Sequence, residues 1–119
     1  MDALDREIRK NVEEAKEKLI VAANPGGPYH CECGGPVVRP GTKWLNPARI
    51  KTAVFARVDF MSAPVGIGLH ELIDEGIFLL DERRLKIRLN PNFRRTNRFK
   101  QLIKEGSRFE RSRSRKIDS

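Results

Sequence analysis

The sequence predicts a mainly helical α+β chain that carries one β-hairpin, and three observations predict it. Residues 2 to 23 repeat apolar side chains at spacings of three and four. Asn46-Pro47 pairs a good N-cap with the residue favoured at the first helical position, and so opens a second helical region. Leu85, Ile87 and Leu89 alternate with Lys86, Arg88 and Asn90, the period of a half-buried strand.

A chain of 119 residues has the length of one domain plus tails, enough to bury a core without disulfides or metals. Its apolar fraction, 39%, is low and its charged fraction, 34%, is high, which points to a modest core among solvated segments. No apolar run could cross a bilayer, and the opening MDALDREIRK lacks the apolar stretch of a secretory signal. The expectation is a cytoplasmic protein with no membrane partner.

The first helix is expected over residues 1–23, with Leu4, Ile8, Val12, Ala15, Leu19 and Ala22 on its apolar stripe, Asp2 as N-cap, and Asp5 and Glu7 suiting its positive end. Such a stripe serves the core of its own domain or pairs two subunits, so a homo-oligomer through this helix is one expectation. Asn24-Pro25-Gly26-Gly27-Pro28 ends it and opens a Gly/Pro-rich loop over residues 24–45, whose exit Trp44 and Leu45 would anchor. From Pro47, the residues Ile50, Ala53, Val54, Val58 and Met61 keep a helical stripe; the start signal favours helix over the strand that TAVFARVDF also suits. A further helix is expected from Pro64 to Glu75, where Gly66 and Gly68 cost helix propensity or permit a close helix crossing, and Gly76 stops it. Then follow a strand at Ile77–Leu80, a turn at Asp81–Arg84, the alternating strand, and a last helix from Asn92 to Glu105. Residues 46–106 would thus form a helix–helix–hairpin–helix core, and residues 107–119, SRFERSRSRKIDS, have almost nothing to bury and read as a disordered basic tail.

The stretch HELIDEGIFLLDERRLKIRLNP resembles the passage from recognition helix to wing in winged-helix DNA-binding domains, a resemblance covering about residues 46–91 and resting on the order of elements. It implies duplex DNA read by a helix in the major groove, with the wing on the backbone. The helix in the recognition position, PVGIGLHELIDE, departs from that pattern: it holds no Lys or Arg, and offers Glu71, Asp74 and Glu75.

Charge is segregated along the chain. Residues 83–116 hold 14 Lys/Arg against two acids, a net +12, while the rest holds 10 Lys/Arg against 14 acids, a net −4. That asymmetry points to a polyanionic partner, nucleic acid and DNA first. The candidate contacts are Arg83, Arg84, Lys86 and Arg88 on the hairpin, Arg94, Arg95, Arg98 and Lys100 on the last helix, and Arg111, Arg113, Arg115 and Lys116 on the tail, where arginine forks suit phosphate. Phe109 is the better candidate for stacking on bases; Phe93 and Phe99 suit a core.

YHCECGG, residues 29–35, holds both cysteines. A zinc site needs about four ligands, and the chain offers only Cys31, Cys33, His30 and His70, unless two chains pool their thiolates. The lack of a second cysteine pair favours the plainer reading of two thiols in a turn, without a cofactor. Neither a dinucleotide fingerprint, a P-loop nor an oriented Cys–His pair is present, so no enzyme is expected. The function expected is a small non-enzymatic nucleic-acid-binding protein, regulator or architectural, for duplex DNA before RNA. The alternative is an assembly component of a virion or ribonucleoprotein whose tail anchors it to nucleic acid.

Overall fold

The computed structural model describes residues 3–27, 29 and 36–106. Three α-helices come first: α1 (Ala3–Ala23), α2 (Pro47–Phe55) and α3 (Ala63–Asp74). Strands β1 (Phe78–Asp81) and β2 (Lys86–Leu89) pair antiparallel, a short 3-10 turn covers Phe93–Arg95, and residues 97–106 are helical, here α4. The chain is therefore mainly helical with a two-stranded hairpin, the α+β class the sequence predicts. None of the described helices is long and apolar enough to cross a membrane.

The two halves of α1 differ. Over its last five residues Leu19, Ile20, Val21, Ala22 and Ala23 are all buried, so every side of the helix is covered there, while Glu14 and Glu17 before them stay exposed. In the first half Leu4 and Ile8 stay 63% and 40% exposed, so the predicted stripe reaches the core only from Val12 onward. The packing partner of α1 is chiefly α3. A Cβ at Gly68 would lie 3.2 Å from Lys16 Cγ and 3.4 Å from the Val12 carbonyl, so this glycine permits the close crossing. Gly66 faces open space and has no such role.

Asn46 caps α2 by accepting a hydrogen bond from Ala48 N at 3.0 Å, with Pro47 behind it. The helix ends at Phe55, two turns short of the predicted stripe: Val58 packs on the core from outside the helix, and Met61 is 81% exposed. Arg57 N and Val58 N bond to the carbonyls three residues back, and the helix tightens to an end there. Gly76, at φ 78, turns the chain from α3 into the hairpin.

The register pairs Phe78 with Leu89, Leu79 with Arg88, Leu80 with Ile87 and Asp81 with Lys86. Alternation then puts Phe78, Ile87 and Leu89 on the core face, and Leu79, Lys86 and Arg88 on the outer one, while Leu80, opposite Ile87, stays 40% exposed. Leu85 departs from the predicted alternation. It belongs to the turn, not the strand, at φ 53 and 69% exposed, in a left-handed conformation that costs a leucine about 1–2 kcal/mol. The predicted last helix is also divided. Thr96 adopts an extended ψ of 154 and its Oγ1 accepts from Phe99 N at 3.2 Å, so it caps α4 and separates it from the 3-10 turn holding Arg94 and Arg95. Phe99 and Leu102 of α4 join the core, with Phe93 edge-on to Phe99 at 6.0 Å.

The loop after α1 folds onto the domain. Gly26 N donates to the Val38 carbonyl and Val37 N to the Tyr29 carbonyl, burying Tyr29, Val37 and Val38. At its exit, Leu45 and Ile87 exchange two backbone hydrogen bonds, 2.7 and 3.0 Å, so Leu45 adds a short antiparallel bridge beside β2.

Candidate functional site

The bridge at Leu45 organises the basic surface. Arg39-Pro40-Gly41-Thr42 turns tightly, with Gly41 at φ 87 and Thr42 N donating to the Arg39 carbonyl at 3.1 Å. The chain then runs through Lys43 and Trp44 into the bridge. Because Leu45 lies opposite Ile87, Trp44 falls beside Arg88, whose guanidinium carbon stands 5.6 Å from the indole centroid. This contact orients the Arg88 side chain without neutralising it.

The segment 39–45 is a ridge between two grooves, and Thr42 and Leu45 line both. One groove, about 440 Å³, is bounded by Pro25 and Pro40 and carries Lys43, Arg88 and Arg94. The other, about 360 Å³, carries Arg39, Arg49 and Lys86 beside Trp44. Among the described residues, six basic side chains therefore line the pair, and no Asp or Glu does. A groove between α1 and α4 has the opposite character, with Glu14, Glu17 and Glu105 beside Lys18.

Of the predicted contacts, Lys86, Arg88 and Arg94 are brought to the two grooves. Arg83 and Arg84 stand exposed at the hairpin turn, where Asp81 Oδ1 accepts from both of their backbone N–H groups at 3.1 and 3.3 Å. Arg95, Arg98 and Lys100 are exposed, with Arg95 on the 3-10 turn and Arg98 and Lys100 on α4. Arg111, Arg113, Arg115, Lys116 and Phe109 lie outside the described residues, as do His30, Cys31 and Cys33. His70 is exposed on α3. Arg39, Lys43 and Arg49 are additions that sequence reading passes over, and Trp44, expected only as an anchor of the loop's exit, joins them. Lys43-Trp44, a base next to an aromatic, was the available signal; a bridge this short leaves no alternation to detect.

Of the acids Glu71 and Asp74 on α3 and Glu75 at its C-cap, Glu71 and Glu75 turn toward α1. Arg9 makes a forked pair with Glu71, both contacts 2.7 Å, and also reaches Glu13. Lys16 Nζ donates to Glu75 at 2.6 Å and Glu71 at 3.3 Å, and the Lys16 side chain is only 4% exposed. The Arg9 hydrogen bond, against the opposing cost of burial and with help from Lys16, holds the Glu71 carboxyl at about 2. Burial lowers the Lys16 ammonium, but the bonds to Glu75 and Glu71 outweigh it and the net direction is up. Asp74, with Ile67 and His70, remains on the exposed side of α3.

No family model matches the chain, and neither a curated protein nor a solved structure is detectably similar to it.

Proposed function

We propose that the protein is a non-enzymatic nucleic-acid-binding protein whose ligand is duplex DNA, gripped mainly through its phosphates. One observation carries this reading: among the described residues, the two grooves flanking residues 39–45 hold six basic side chains and no acid. Arginine forks in such grooves suit phosphate oxygens, and a surface of one sign raises the local concentration of a polyanion. The finer reading, a winged-helix domain, draws support from the order helix, bridge, helix, helix, strand, strand, with the bridge at Leu45 beside β2. In this version α3 is not the reader. Glu71 and Glu75 belong to the packing against α1, and the exposed side of α3 carries Asp74 without a Lys or Arg. Contacts then come from the ridge, the grooves and the hairpin, and the binding tolerates many sequences.

A second reading, an assembly component anchored by its basic segment, is favoured by Leu4 and Ile8, exposed on the first half of α1. Anisotropy titration of duplex DNA, single-stranded DNA and RNA at several salt concentrations decides between them. If the six groove bases meet phosphates, log K falls with log salt at a slope near −5 for duplex, about 0.9 per contact. A duplex slope shallower than about −2, or a stable high-order oligomer formed without nucleic acid, would overturn the first reading in favour of the second.

A further inference from the structure

Leu85 stands where folding has least use for a leucine. The turn requires a left-handed residue there, φ 53, a conformation that glycine or asparagine adopts readily. The side chain does not offset that strain by packing, since 69% of it is exposed. The turn itself is fixed, because the Asp81 carboxylate accepts from the backbone N–H of Arg83 and of Arg84. A bulky apolar side chain is thus held outward at a rigid tip, directly after two exposed arginines and before Lys86, which lines one of the basic grooves.

We infer that Leu85 is a wedge that enters between base pairs from the minor groove, and that the protein therefore selects duplexes that unstack easily. The inference rests on the nucleic-acid reading above and goes further, to the class of duplex bound. Minor-groove proteins that insert apolar wedges also use Arg and Lys there; Arg83 supplies one such cation here, and Arg84 a second once it exchanges Asp81 Oδ2, 3.8 Å from its Nε, for a phosphate. The cost of opening the step depends on its sequence: TA and CA steps, mismatches and nicks open cheaply, and A-tracts resist. Glu82, the other acid of the turn, is exposed beside these arginines and weakens the approach to phosphate. A basic tip with an exposed leucine also fits an anionic lipid surface. The duplex is favoured because Lys86 and Arg88 continue the positive surface from the tip into two grooves, whereas Leu85, even with the half-exposed Leu79 and Leu80 of the same hairpin, supplies only a marginal anchor on a bilayer.

The test uses the full chain with duplexes carrying 2-aminopurine at a central TA step, at a mismatch, or within an A-tract. Wild type should raise the fluorescence at the TA step and the mismatch, and bind these about ten-fold more tightly than the A-tract. Leu85→Gly and Leu85→Asn should melt at or above the wild-type temperature, lose the fluorescence rise and bind all three duplexes alike. Leu85→Met should keep both properties, and Glu82→Gln should tighten binding about two-fold. If wild type binds but Leu85→Gly and Leu85→Asn unstack the step as well as it does, the wedge is wrong and the groove reading survives. If wild type binds no duplex, both fall. If instead it binds phosphatidylserine vesicles, and Leu85→Asn abolishes this, the leucine serves a lipid surface and the inference is overturned.

Discussion

The α1–α3 interface and the 39–45 ridge are both rich in charge, and they use it in opposite ways. Between the helices, Arg9 and Lys16 meet Glu71 and Glu75 at hydrogen-bond distance, and Lys16 is nearly sealed from solvent. Along the ridge, Arg39, Lys43, Arg49, Lys86, Arg88 and Arg94 line open grooves to which no Asp or Glu among the described residues contributes; Asp81 stands across the hairpin from Lys86, with its carboxylate on the turn's backbone N–H groups and near Arg84. Charges satisfied inside the chain hold its helices in register and have little left for a ligand. Charges gathered without counter-charges add nothing to folding, and repel one another until an external anion arrives. The contrast explains why net charge alone is a poor guide here: acids placed on α3 do not repel a polyanion if α1 has already taken them up.

The largest way to break this comparison acts on the interface. Glu71→Ala with Glu75→Ala leaves Lys16 Nζ with neither of its hydrogen-bond partners, in a position that is 4% exposed. Loss of a partner from a buried pair costs about 3–5 kcal/mol, and the low end applies because Glu75 is partly exposed. Urea unfolding should show that drop, and duplex affinity under native conditions should stay within two-fold of wild type.

The converse change sharpens it. Arg39→Ala with Lys43→Ala and Arg49→Ala removes half of the groove bases. Stability should change by less than about 0.5 kcal/mol per site, as for surface positions without partners. Duplex affinity at moderate salt should fall at least ten-fold, and the salt slope should become shallower by about 3. Unchanged affinity would move the contacts away from the ridge.

The smallest effect is in the pH dependence of stability. The Glu71 carboxyl is held at about 2 in the folded chain, below its ordinary value, so its stabilisation is complete above pH ~4.5 and is lost as pH falls toward 2. The Lys16 ammonium is raised, so its contribution is complete below its ordinary value near 10.5 and is lost only as pH rises beyond that. Glu71→Gln should therefore flatten the acid limb of a stability profile and leave the neutral plateau lower. A groove variant should leave both limbs unchanged.

Much of this architecture was legible in the residues because its signals are local. The cap at Asn46, the glycine stop at Gly76 and the alternation through Ile87 and Leu89 each depend on neighbours a few positions away. The same local reading misplaced Met61 and Leu85: an apolar residue at the right interval counts as buried, whether or not anything lies opposite to cover it. It also ran one helix through Thr96, whose hydroxyl instead begins a new one. At the candidate site, Lys86, Arg88 and Arg94 stood out by charge density, while Arg39, Lys43 and Arg49 are scattered among Gly and Pro in the sequence and converge only through folding.

By itself, then, the sequence determined the helices, the hairpin and the excess of positive charge in the C-terminal third, since periodicity, capping and composition act over a turn or two of chain. Tertiary structure alone decided which half of α1 is buried, that Glu71 and Glu75 answer Arg9 and Lys16, and that Leu45 bridges to Ile87 to part the bases into two grooves. These are contacts between residues more than forty positions apart. Their energy depends on burial and on distances through space, and neither is written in the spacing of residues along the chain.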